Sequence, residues 1–577
     1  MRFGKIGFDP AHNPAILDTA AWDEAAAVQM LAAVDADFWR AAREAGRSDA
    51  TPPAGPVTLY PGSAAVVEGS AWFLAGLPDA QQLFVAIGPE RGESPPGPAI
   101  ATIPVGPRER VAAYLTDAAI IDRYCRTIRP DKGPQPLAAI PRLGIGARMS
   151  AAMWPGVYRA MDQGRFAANT IQNSVRELEL LENILAGKPP EAIYYPGFGV
   201  VEAGHTGATF EGLWTYGVLE ALKSDGRFRY GADADHIKVL PGPAGLDWAR
   251  HVLECARYYS FFTLDVSAVL DYAALAANAG AAEEYLTSRI PDAGQRRALL
   301  AYHAAPRKIG GSDYRLDGPA LGRLVGKYWE ALAAAEALAG HIARLKNGRP
   351  FDLEFAIDER SPDVETCACI TADEEVAFVL LEAQRRGLRF THVAPNFGVE
   401  KGVDYRCGGG LAELESRVRS QHRIAEEFDV LLDFHSGDDL SSATCQVIGR
   451  ATNGRNHFKI APEPQMLFAK TVRDFYPDLF RRWWEESLAY ARREAAAGSQ
   501  FAADCIRQQE AAGQAPSPAD PIFHNFGFGF VGRRGPDGAY LNRETLYSLS
   551  PEFYRAYQDR LFAYLCALAE DLFDPGT

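Results

Sequence analysis

The segment VLLDFHSG, at residues 430–437, contains the pattern on which the fold of this chain depends. A short apolar run ends at a histidine and is followed by serine and glycine, which is typical of a buried strand that ends in a loop. Because strand side chains alternate between two faces, Asp433 and His435 lie opposite the apolar residues. The segment therefore predicts a strand that is apolar towards neighbouring helices and polar on its other face.

Three further segments repeat this arrangement: GADADHIK (231–238), FDLEFAIDE (351–359) and NHFKIA (456–461). In each of them, charged or imidazole side chains recur at every second position. The residues that share a face are His236 with Lys238, Glu354 with Asp358, and His457 with Lys459. These polar residues lie on the side of each strand opposite the apolar one. A purely structural role does not readily explain them on several strands, because unpaired buried charges are costly.

The chain around these segments alternates between strand-like and helix-like stretches. The strand candidates are residues 143–147, 166–172, 228–236, 261–267, 351–358, 390–398, 430–437 and 457–461. Amphipathic helical patterns separate most of them, and strands that alternate with helices form a parallel sheet. Eight such units predict an α/β fold, a (β/α)8 TIM-type barrel.

Four regions follow from this pattern. Residues 1–135 are predicted to form an N-terminal α/β accessory region, and residues 136–475 the barrel, which is the catalytic domain. The Ala-rich stretch at about 268–347 is predicted to be a helical insertion after the fourth strand. Residues 476–577 are predicted to be a mainly helical C-terminal extension that packs over one end of the barrel.

Composition argues against several classes of function. The 577 residues carry a net charge of −15 without a Lys/Arg-rich run, so nucleic acid is not an expected partner. No apolar stretch reaches the roughly 18 residues of a membrane span, so we expect a cytoplasmic protein without a membrane partner. The eight cysteines form no CxxC pair, and we expect them to be reduced thiols.

The active site of a (β/α)8 barrel lies at the carboxyl ends of its strands. Histidines and carboxylates that converge there from separate strands are typical of a catalytic divalent-metal site. The pattern therefore predicts a metal-dependent enzyme. An alternative stays open for Glu354, which could form a buried ion pair with Lys459 instead of binding the ion. His524 stays open between a site role and a place in an aromatic core.

Several strings also resemble the tagaturonate epimerase family, whose members are metal-dependent enzymes that interconvert tagaturonate and fructuronate in hexuronate catabolism. The matching strings are QNSVRELE (172–179), GADADHIK (231–238), FFTLD (261–265), FDLEFAIDE (351–359), EKGVDYR (400–406), HSGDD (435–439) and HFK (457–459). They occur in the family's order. The resemblance supports the barrel and implies that the reaction is an epimerisation.

The resemblance also implies roles for individual residues. The implied ligands of a divalent ion such as Zn, Mn, Ni or Co are His236, Glu354, His435 and His457. The implied catalytic acid/base residues are Glu177 and Asp235. The candidate substrate-binding residues are Arg148, Gln172, Arg176, Lys238, Asp358, Asp433 and Lys459.

Together these features predict a metal-dependent isomerase that epimerises keto sugars or keto sugar acids of the tagaturonate/fructuronate type. The inverted carbinol of such substrates is β to the ketone, so retro-aldol cleavage, rotation of the aldehyde and re-addition would invert it. A metal-dependent aldose–ketose isomerase or aldolase on the same barrel remains an alternative, as does a non-catalytic sugar-binding pseudoenzyme. A homo-oligomer is left open.

The chain departs from the family pattern in three places, one of which is GIGAR (144–148), where Ala147 replaces the acid of the family's GTGDR. The family's HSGSDK reads HSGDDL here, which replaces a serine by Asp438 and a lysine by Leu440. The family's HVKTAGT reads HFKIAPE, which introduces Glu463. One lost cation and two added acids disfavour a nearby carboxylate. This comparison predicts a neutral keto sugar, or an acid whose carboxylate is placed differently, as the native substrate.

Overall fold

The computed structural model describes the chain apart from residues 1, 4–5, 8, 18–22, 49, 90–95, 191, 196–198, 203, 359–364, 400–403, 514 and 575–577. The side chains of residues 1–8 and 191–203 are not described either. The last residue of FDLEFAIDE, Glu359, and the first part of EKGVDYR, residues 400–403, therefore lie outside the described residues.

Eight parallel strands close into a barrel. They are β1 (Arg142–Gly146), β2 (Ala167–Ser174), β3 (Tyr230–Lys238), β4 (Phe261–Asp265), β5 (Asp352–Ala356), β6 (His392–Ala394), β7 (Leu431–Phe434) and β8 (Asn456–Ile460). Neighbours in the chain pair in parallel, and β8 pairs with β1 to complete the ring. Each strand overlaps a predicted segment, so the predicted (β/α)8 barrel is confirmed.

Helices surround the barrel because the outward side chains of the strands are apolar and need a covering surface. Leu353 and Phe355 of β5 and Leu432 and Phe434 of β7 are all buried in the main hydrophobic core. The helices after the strands are Trp154–Gly164, Phe210–Lys223, Gly242–Cys255, Gly318–Lys346, Asp373–Arg385, Gly410–Glu426, Ser442–Ala451 and Pro462–Phe475. None of the described helices combines the length and apolarity that crossing a bilayer requires.

Strand β3 contains an irregularity that positions the site. Its register against β4 shifts between Ala234 and Ile237, and His236 has a left-handed backbone with φ of 52°. An extra residue of this kind changes which face the following side chains occupy. Asp235 and His236 consequently both lie on the polar side, although they are consecutive.

The N-terminal region is a separate antiparallel sheet covered by helices. Its strands are Thr58–Leu59, Ala65–Val67, Ser70–Gly76, Gln82–Pro89, Ala101–Pro104 and Glu109–Tyr114. The helices Glu24–Ala32 and Ala36–Ser48 share a hydrophobic core with this sheet, which includes the buried Trp39 and Phe73. A third helix, Ala118–Thr127, leads to the barrel and places Tyr124 in the barrel's core.

The stretch between β4 and β5 is long and mainly helical. It contains the helices Ala279–Arg289 and Ala293–Ala304, a hairpin of Arg307–Ile309 with Ser312–Tyr314, and the long helix Gly318–Lys346. Asp292 and Asp317 accept hydrogen bonds from backbone N–H groups at the start of the second and third helices. Such caps satisfy donors that a helix leaves unpaired at its N-terminus.

The C-terminal helices are Pro477–Ala496, Gln500–Ala512, Pro521–Phe526, Arg543–Tyr547 and Pro551–Phe573. Residues between the second and the last of these helices contact loops that follow the barrel strands. Arg534 lies 2.9 Å from Glu179 in the loop after β2, and His524 lies 3.1 Å from Asp439 in the loop after β7. The extension therefore covers part of the end where the strands finish.

A disulfide joins Cys367, after β5, to Cys407, after β6. The expectation that all cysteines are reduced thiols is wrong for this pair. The physical reason is proximity: the partners are 40 residues apart in the chain, but the barrel brings their Cα atoms to 5.4 Å. The bond ties together two loops at the carboxyl end of the barrel. The free cysteines are Cys125, Cys255, Cys369, Cys445, Cys505 and Cys566.

Candidate active site

The barrel interior contains a charged network around the ammonium group of Lys459 on β8. Its Nζ lies 2.8 Å from Glu354 Oε2 and 2.9 Å from Asp235 Oδ1. The same atom lies 3.3 Å from Asp233 Oδ2 and 3.5 Å from Asp433 Oδ2. Burial opposes the charge of this lysine, but the surrounding carboxylates raise its pKa well above the ordinary value. The ammonium is thus a fixed internal cation.

Four carboxyl groups surround the single ammonium group of Lys459, and one of them, Asp233, tends to keep its proton. Burial, together with Asp235, Glu354 and Asp433, raises the pKa of Asp233 to about 8 despite the nearby ammonium. Thr263 Oγ1 lies 3.1 Å from Asp233 Oδ1 and 3.0 Å from Glu354 Oε2, and it accepts a hydrogen bond from Lys459. Asp233 Oδ2 and both oxygens of Asp433 are nevertheless buried without a hydrogen bond from the described residues.

Gly144 on β1 leaves the space that this network occupies. A Cβ atom at this position would lie 2.5 Å from Gln172 Oε1, 2.7 Å from Lys459 Cγ and 3.0 Å from His457 Nε2. Only a residue without a side chain therefore allows these three groups to meet inside the barrel. The same observation places the predicted residue Gln172 next to His457 and Lys459.

His457 lies below Lys459, towards the amino ends of the strands. Its Nδ1 is 2.7 Å from Asp433 Oδ2, and its ring packs edge-on against Phe261 and His392. Burial lowers the pKa of His457 to about 4, although Asp433 favours the protonated ring. His457 is therefore a neutral imidazole at neutral pH. We call Asp233, Thr263, Glu354, Asp433, His457 and Lys459 the deep cluster.

His435 lies at the upper end of the barrel, immediately after β7. Its Nε2 is 2.8 Å from Glu354 Oε1, and its Nδ1 is 3.0 Å from Asp358 Oδ2. Burial opposes protonation of the ring, but Asp358 and Glu354 raise the pKa of His435 well above the ordinary value. Glu354 thus uses one oxygen for Lys459 and the other for His435, so the ion pair that stayed open as an alternative is present.

His236 faces His435 from the bulge in β3, with the ring centroids 4.7 Å apart. Its Nδ1 lies 3.7 Å from Asp265 Oδ2 at the end of β4. Burial opposes ionisation of Asp265, but its interaction with the nearby His236 brings the pKa of this carboxyl to about 2. Ser267 donates to the other oxygen of Asp265 at 2.5 Å. We call His236, Asp265, Asp358 and His435 the rim cluster.

The loops after β1 and β2 place a further charge pair at this end. Arg148 forms a buried ion pair with Glu177. Glu177 also accepts a hydrogen bond from the backbone N–H of Ser174 at 3.3 Å, and it lies 3.9 Å from His205 Nε2. The neighbouring Arg176 is buried as well. An acid and two guanidinium groups are therefore held beside the strands that carry Asp235 and His236.

The acids that distinguish this chain from the family pattern have other partners. Asp438 Oδ2 accepts hydrogen bonds from the backbone N–H groups of Ala461 at 3.1 Å and Glu463 at 2.8 Å. These donors belong to the start of the helix Pro462–Phe475, so Asp438 caps it. Glu463 lies 2.8 Å from Lys470 on the same helix. Both acids are thus engaged by groups of the protein itself.

Two carboxylate oxygens of the rim cluster are buried without a hydrogen bond from any described residue: Oδ2 of Asp265 and Oδ1 of Asp358. A buried acceptor in this state typically costs about 1–3 kcal/mol. Imidazole and carboxylate together form a donor set that suits Zn, Mn, Ni or Co. The rim cluster therefore fits a divalent ion by its chemistry. Lower in the barrel, Glu354, Asp433 and His457 also bring ligand atoms within 4.8 Å of one another.

The structure brings together most of the residues proposed from the sequence, in two clusters instead of one. Lys238, at the end of β3, is half-buried and close enough to Asp265 to lower its pKa. Sequence reasoning missed Asp233, Thr263 and Asp265. Counting by twos back from Asp235 would have found Asp233. Asp265 and Thr263 stand in the quoted string FFTLD, but no pattern within that strand distinguishes them.

Comparison with known proteins is consistent across sequence and structure. A family profile described as tagaturonate epimerase (UxaE) matches residues 117–499. The tagaturonate/fructuronate epimerase of Thermotoga maritima is 29% identical over 280 residues, which cover 48% of this chain and 52% of that protein. The chain therefore spans about half the length of the curated relative it matches.

Solved structures agree on the fold. The native crystal structure of fructuronate-tagaturonate epimerase from Cohnella laeviribosi has a TM-score of 0.62 and 20% identity, over 90% of this chain and 97% of that chain. A glycerol-complexed crystal structure of the same enzyme has a TM-score of 0.60 and 21% identity, over 90% of this chain and 96% of that chain. At this identity the likeness supports the architecture alone.

Proposed function

The chain belongs to the tagaturonate epimerase family, and we propose that it is a metal-dependent epimerase of keto sugar acids of the tagaturonate/fructuronate type. The observation that carries this proposal is the rim cluster. Its two histidines and two carboxylates converge at the carboxyl ends of β3, β4, β5 and β7, where barrel enzymes carry their active sites.

A sugar acid fits the charges near the rim cluster. Arg148, Arg176 and Lys238 supply cations at this end of the barrel. The expectation of a neutral sugar rested on Asp438 and Glu463 repelling a carboxylate. Asp438 accepts backbone hydrogen bonds at the start of a helix and Glu463 pairs with Lys470, so both acids are oriented towards groups of the protein itself. We therefore favour a hexuronate over a neutral keto sugar.

We propose that the four residues of the rim cluster, His236, His435, Asp265 and Asp358, hold the divalent ion. When bound, the ion supplies Lewis-acid polarisation of the substrate's ketone and hydroxyl oxygens. The lower group that includes His457 is less suited to a second cation, because the ammonium of Lys459 already contacts two of its members, Glu354 and Asp433. In this proposal His457 supports the site from below by fixing Asp433.

The reaction needs two proton-transfer groups, since inversion moves a hydroxyl group from one face of a carbon to the other. One carboxylate removes the proton of the hydroxyl on the carbon β to the ketone. The bond between the α and β carbons breaks, and its electrons pass to the α carbon and the ketone oxygen, which leaves an enediolate and an aldehyde. After the aldehyde rotates, the α carbon attacks its other face, and the new alkoxide takes a proton from a second acid.

Glu177 and Asp235 are suited to these two roles because they come from adjacent strands at the same end of the barrel. Ser174 of β2 is the register partner of Asp235 on β3, and the backbone N–H of the same serine donates to Glu177. Arg148 holds Glu177 in place, and Lys459 holds Asp235. Each acid is thus oriented by a cation.

A substrate panel with metal reconstitution tests the proposal. The purified protein is treated with a chelator, reloaded separately with Zn²⁺, Mn²⁺, Ni²⁺ and Co²⁺, and assayed with tagaturonate, fructuronate, tagatose and fructose. We expect interconversion of the two hexuronates that depends on an added ion. Cleavage products or aldose formation would favour an aldolase or an aldose–ketose isomerase, and sugar binding without turnover would favour a pseudoenzyme.

A further inference from the structure

A large cavity lies at the end of the barrel opposite the rim cluster. It has a volume of roughly 1130 Å³, which is above the 300–1,000 Å³ typical of small-molecule sites. Four segments of the chain line it, together with Phe573. They are the turn at Pro61–Gly62 in the N-terminal region, the linker from Arg129 to Pro141, the segment Met161–Ala167 that enters β2, and the segment Asp225–Tyr230 that enters β3. An occupant would therefore contact both the N-terminal region and the barrel.

The lining of this cavity is basic, although the chain as a whole carries a charge of −15. It contains five basic side chains and three acidic ones, and these are Arg129, Lys132, Arg165, Arg227 and Arg229 with Asp131, Asp162 and Asp225. A local excess of positive charge in an acidic protein needs a specific explanation, since it concentrates anions in a confined space.

The acids of the lining already have partners. Both oxygens of Asp131 accept hydrogen bonds from Arg129, at 2.9 and 2.8 Å. Asp162 accepts a hydrogen bond from the backbone N–H of Arg227 at 2.8 Å. Asp225 acts electrostatically on Lys132, whose Nζ also donates to the carbonyl oxygens of Ser224 and Gly226 at 2.7 and 2.9 Å. Arg129 and Lys132 are thus already paired with other groups of the cavity wall.

The remaining cations, Arg165, Arg227 and Arg229, have exposed side chains on the cavity wall. Within the described part of the chain, none of the three has an ion pair or a side-chain hydrogen bond. Arginine presents a planar set of donors that matches phosphate and carboxylate oxygens in pairs. Three such groups around one space suit the charge of about −2 on a phosphate monoester better than a single carboxylate.

We propose that this cavity is a second binding site, distinct from the rim cluster, for a phosphate monoester of sugar or nucleotide size. Arg165, Arg227 and Arg229 bind the phosphate group, and the remaining volume accommodates the organic part beside Phe228. The site is independent of the proposed epimerase activity, because the carboxyl ends of the strands that carry the chemistry lie at the other end of the barrel.

Equilibrium dialysis measures this binding directly, with glucose 6-phosphate and inorganic phosphate as probes and glucose as the uncharged reference. The parent should bind glucose 6-phosphate saturably at one site per chain, and glucose not at all. The double variant Arg227→Gln/Arg229→Gln should bind on the order of 100-fold more weakly, since each lost charge-assisted hydrogen bond costs about tenfold or more. Comparable affinity for inorganic phosphate would assign the site to the free ion.

The matched control is Arg108→Gln/Arg297→Gln, which removes the same charge from exposed arginines outside the cavity lining. It should retain the parent's affinity within about twofold, because distant surface charges are screened by salt. If the double variant Arg227→Gln/Arg229→Gln does not fold, the single variant Arg165→Gln tests the third arginine of the cavity independently. Equal binding by the cavity variants and the control would place the phosphate elsewhere and overturn the proposal, as would the lack of saturable binding by the parent.

Discussion

The deep cluster and the rim cluster contain the same types of residue but satisfy their charges differently. In the deep cluster, Lys459 neutralises the carboxylates from within, and His457 is a buried neutral ring beside Asp433. In the rim cluster, no lysine lies at the centre. Both clusters have buried carboxylate oxygens without a hydrogen bond from the described residues, on Asp233 and Asp433 in the deep cluster and on Asp265 and Asp358 in the rim cluster. Residue type alone therefore does not identify a ligand. The identifying feature is whether the protein has already supplied the counter-charge.

The largest effects on metal binding and turnover are expected when one histidine is removed from each cluster. His435→Ala should abolish metal binding and lower turnover by a thousandfold or more, since metal catalysis contributes several kcal/mol and about 1.4 kcal/mol is a factor of ten. His457→Ala should retain the ion, because its ring is paired with Asp433 below Lys459. Metal content by elemental analysis and turnover on tagaturonate are measured for both.

The reverse result would be equally informative. If His457→Ala loses the ion as completely as His435→Ala, the two clusters form a single metal site, as the sequence pattern predicts. Chelation of the parent provides the reference for the metal-free state. Activity that survives complete chelation would contradict metal dependence altogether.

The proposed proton-transfer pair gives the next largest effect. Glu177→Gln and Asp235→Asn should each reduce turnover by about two to four orders of magnitude, which is the usual cost of losing a general acid or base. Metal content should not change in the Glu177 variant, because this residue pairs with Arg148 and not with the rim cluster. A normal pH–rate profile in both variants would assign the proton transfers to other groups.

Glu179→Gln is the matched control for Glu177→Gln. Glu179 is a buried acid two positions further along the chain, and it pairs with Arg534 of the C-terminal extension. Its substitution should affect stability without a comparable loss of turnover. A loss as large as that of Glu177→Gln would indicate that the packing of this loop, and not proton transfer, limits the reaction.

The barrel could be predicted from the sequence because eight strand-like segments alternate with helical patterns. Side-chain alternation within these segments identified Glu354, Asp433, His435, His457 and Lys459 as inward residues. Alternation describes one strand at a time, however. It cannot show that Glu354 divides its two oxygens between Lys459 and His435. That arrangement depends on the relative height of three strands.

The features that sequence reasoning missed arise from backbone irregularity and from contacts between distant segments. The left-handed conformation of His236 breaks the alternation of β3, so Asp235 and His236 reach the same side together. The pairing of Cys367 with Cys407 depends on two loops that meet only after the barrel has closed. The caps and ion pairs of Asp438 and Glu463 likewise depend on where one helix begins.

Replacing the internal cation tests whether the deep cluster is structural. Lys459→Met should lower the free energy of unfolding by about 3–5 kcal/mol, because it leaves buried carboxylates without their counter-charge. Lys470→Met is the control: its ammonium pairs with Glu463 at 2.8 Å but is 37% exposed. That change should cost no more than about 1 kcal/mol. Equal losses in chemical unfolding would show that Lys459 contributes no more than a surface cation.

The smallest effect concerns Asp438, and it separates a helix cap from a group that selects the substrate. Asp438→Asn keeps an oxygen that accepts the N–H groups of Ala461 and Glu463, so kcat/KM for tagaturonate should change by less than about threefold. A tenfold or larger gain on the hexuronates, without a gain on tagatose, would show that this acid repels the substrate carboxylate. The preference for a neutral keto sugar, which was expected from the two altered loops, would then be correct.

The same variant has a second readout in stability against pH. Burial and Asp439 raise the pKa of Asp438 from the ordinary 3.8 to about 7 in the folded protein. The folded state therefore binds the proton more tightly than the unfolded state, and this contribution to stability is lost as pH rises from about 4 to 7. Asp438→Asn cannot ionise, so its stability relative to the parent should increase over that interval. A constant difference from pH 4 to 7 would mean that the carboxylate is stabilised by its two backbone donors strongly enough to remain ionised throughout.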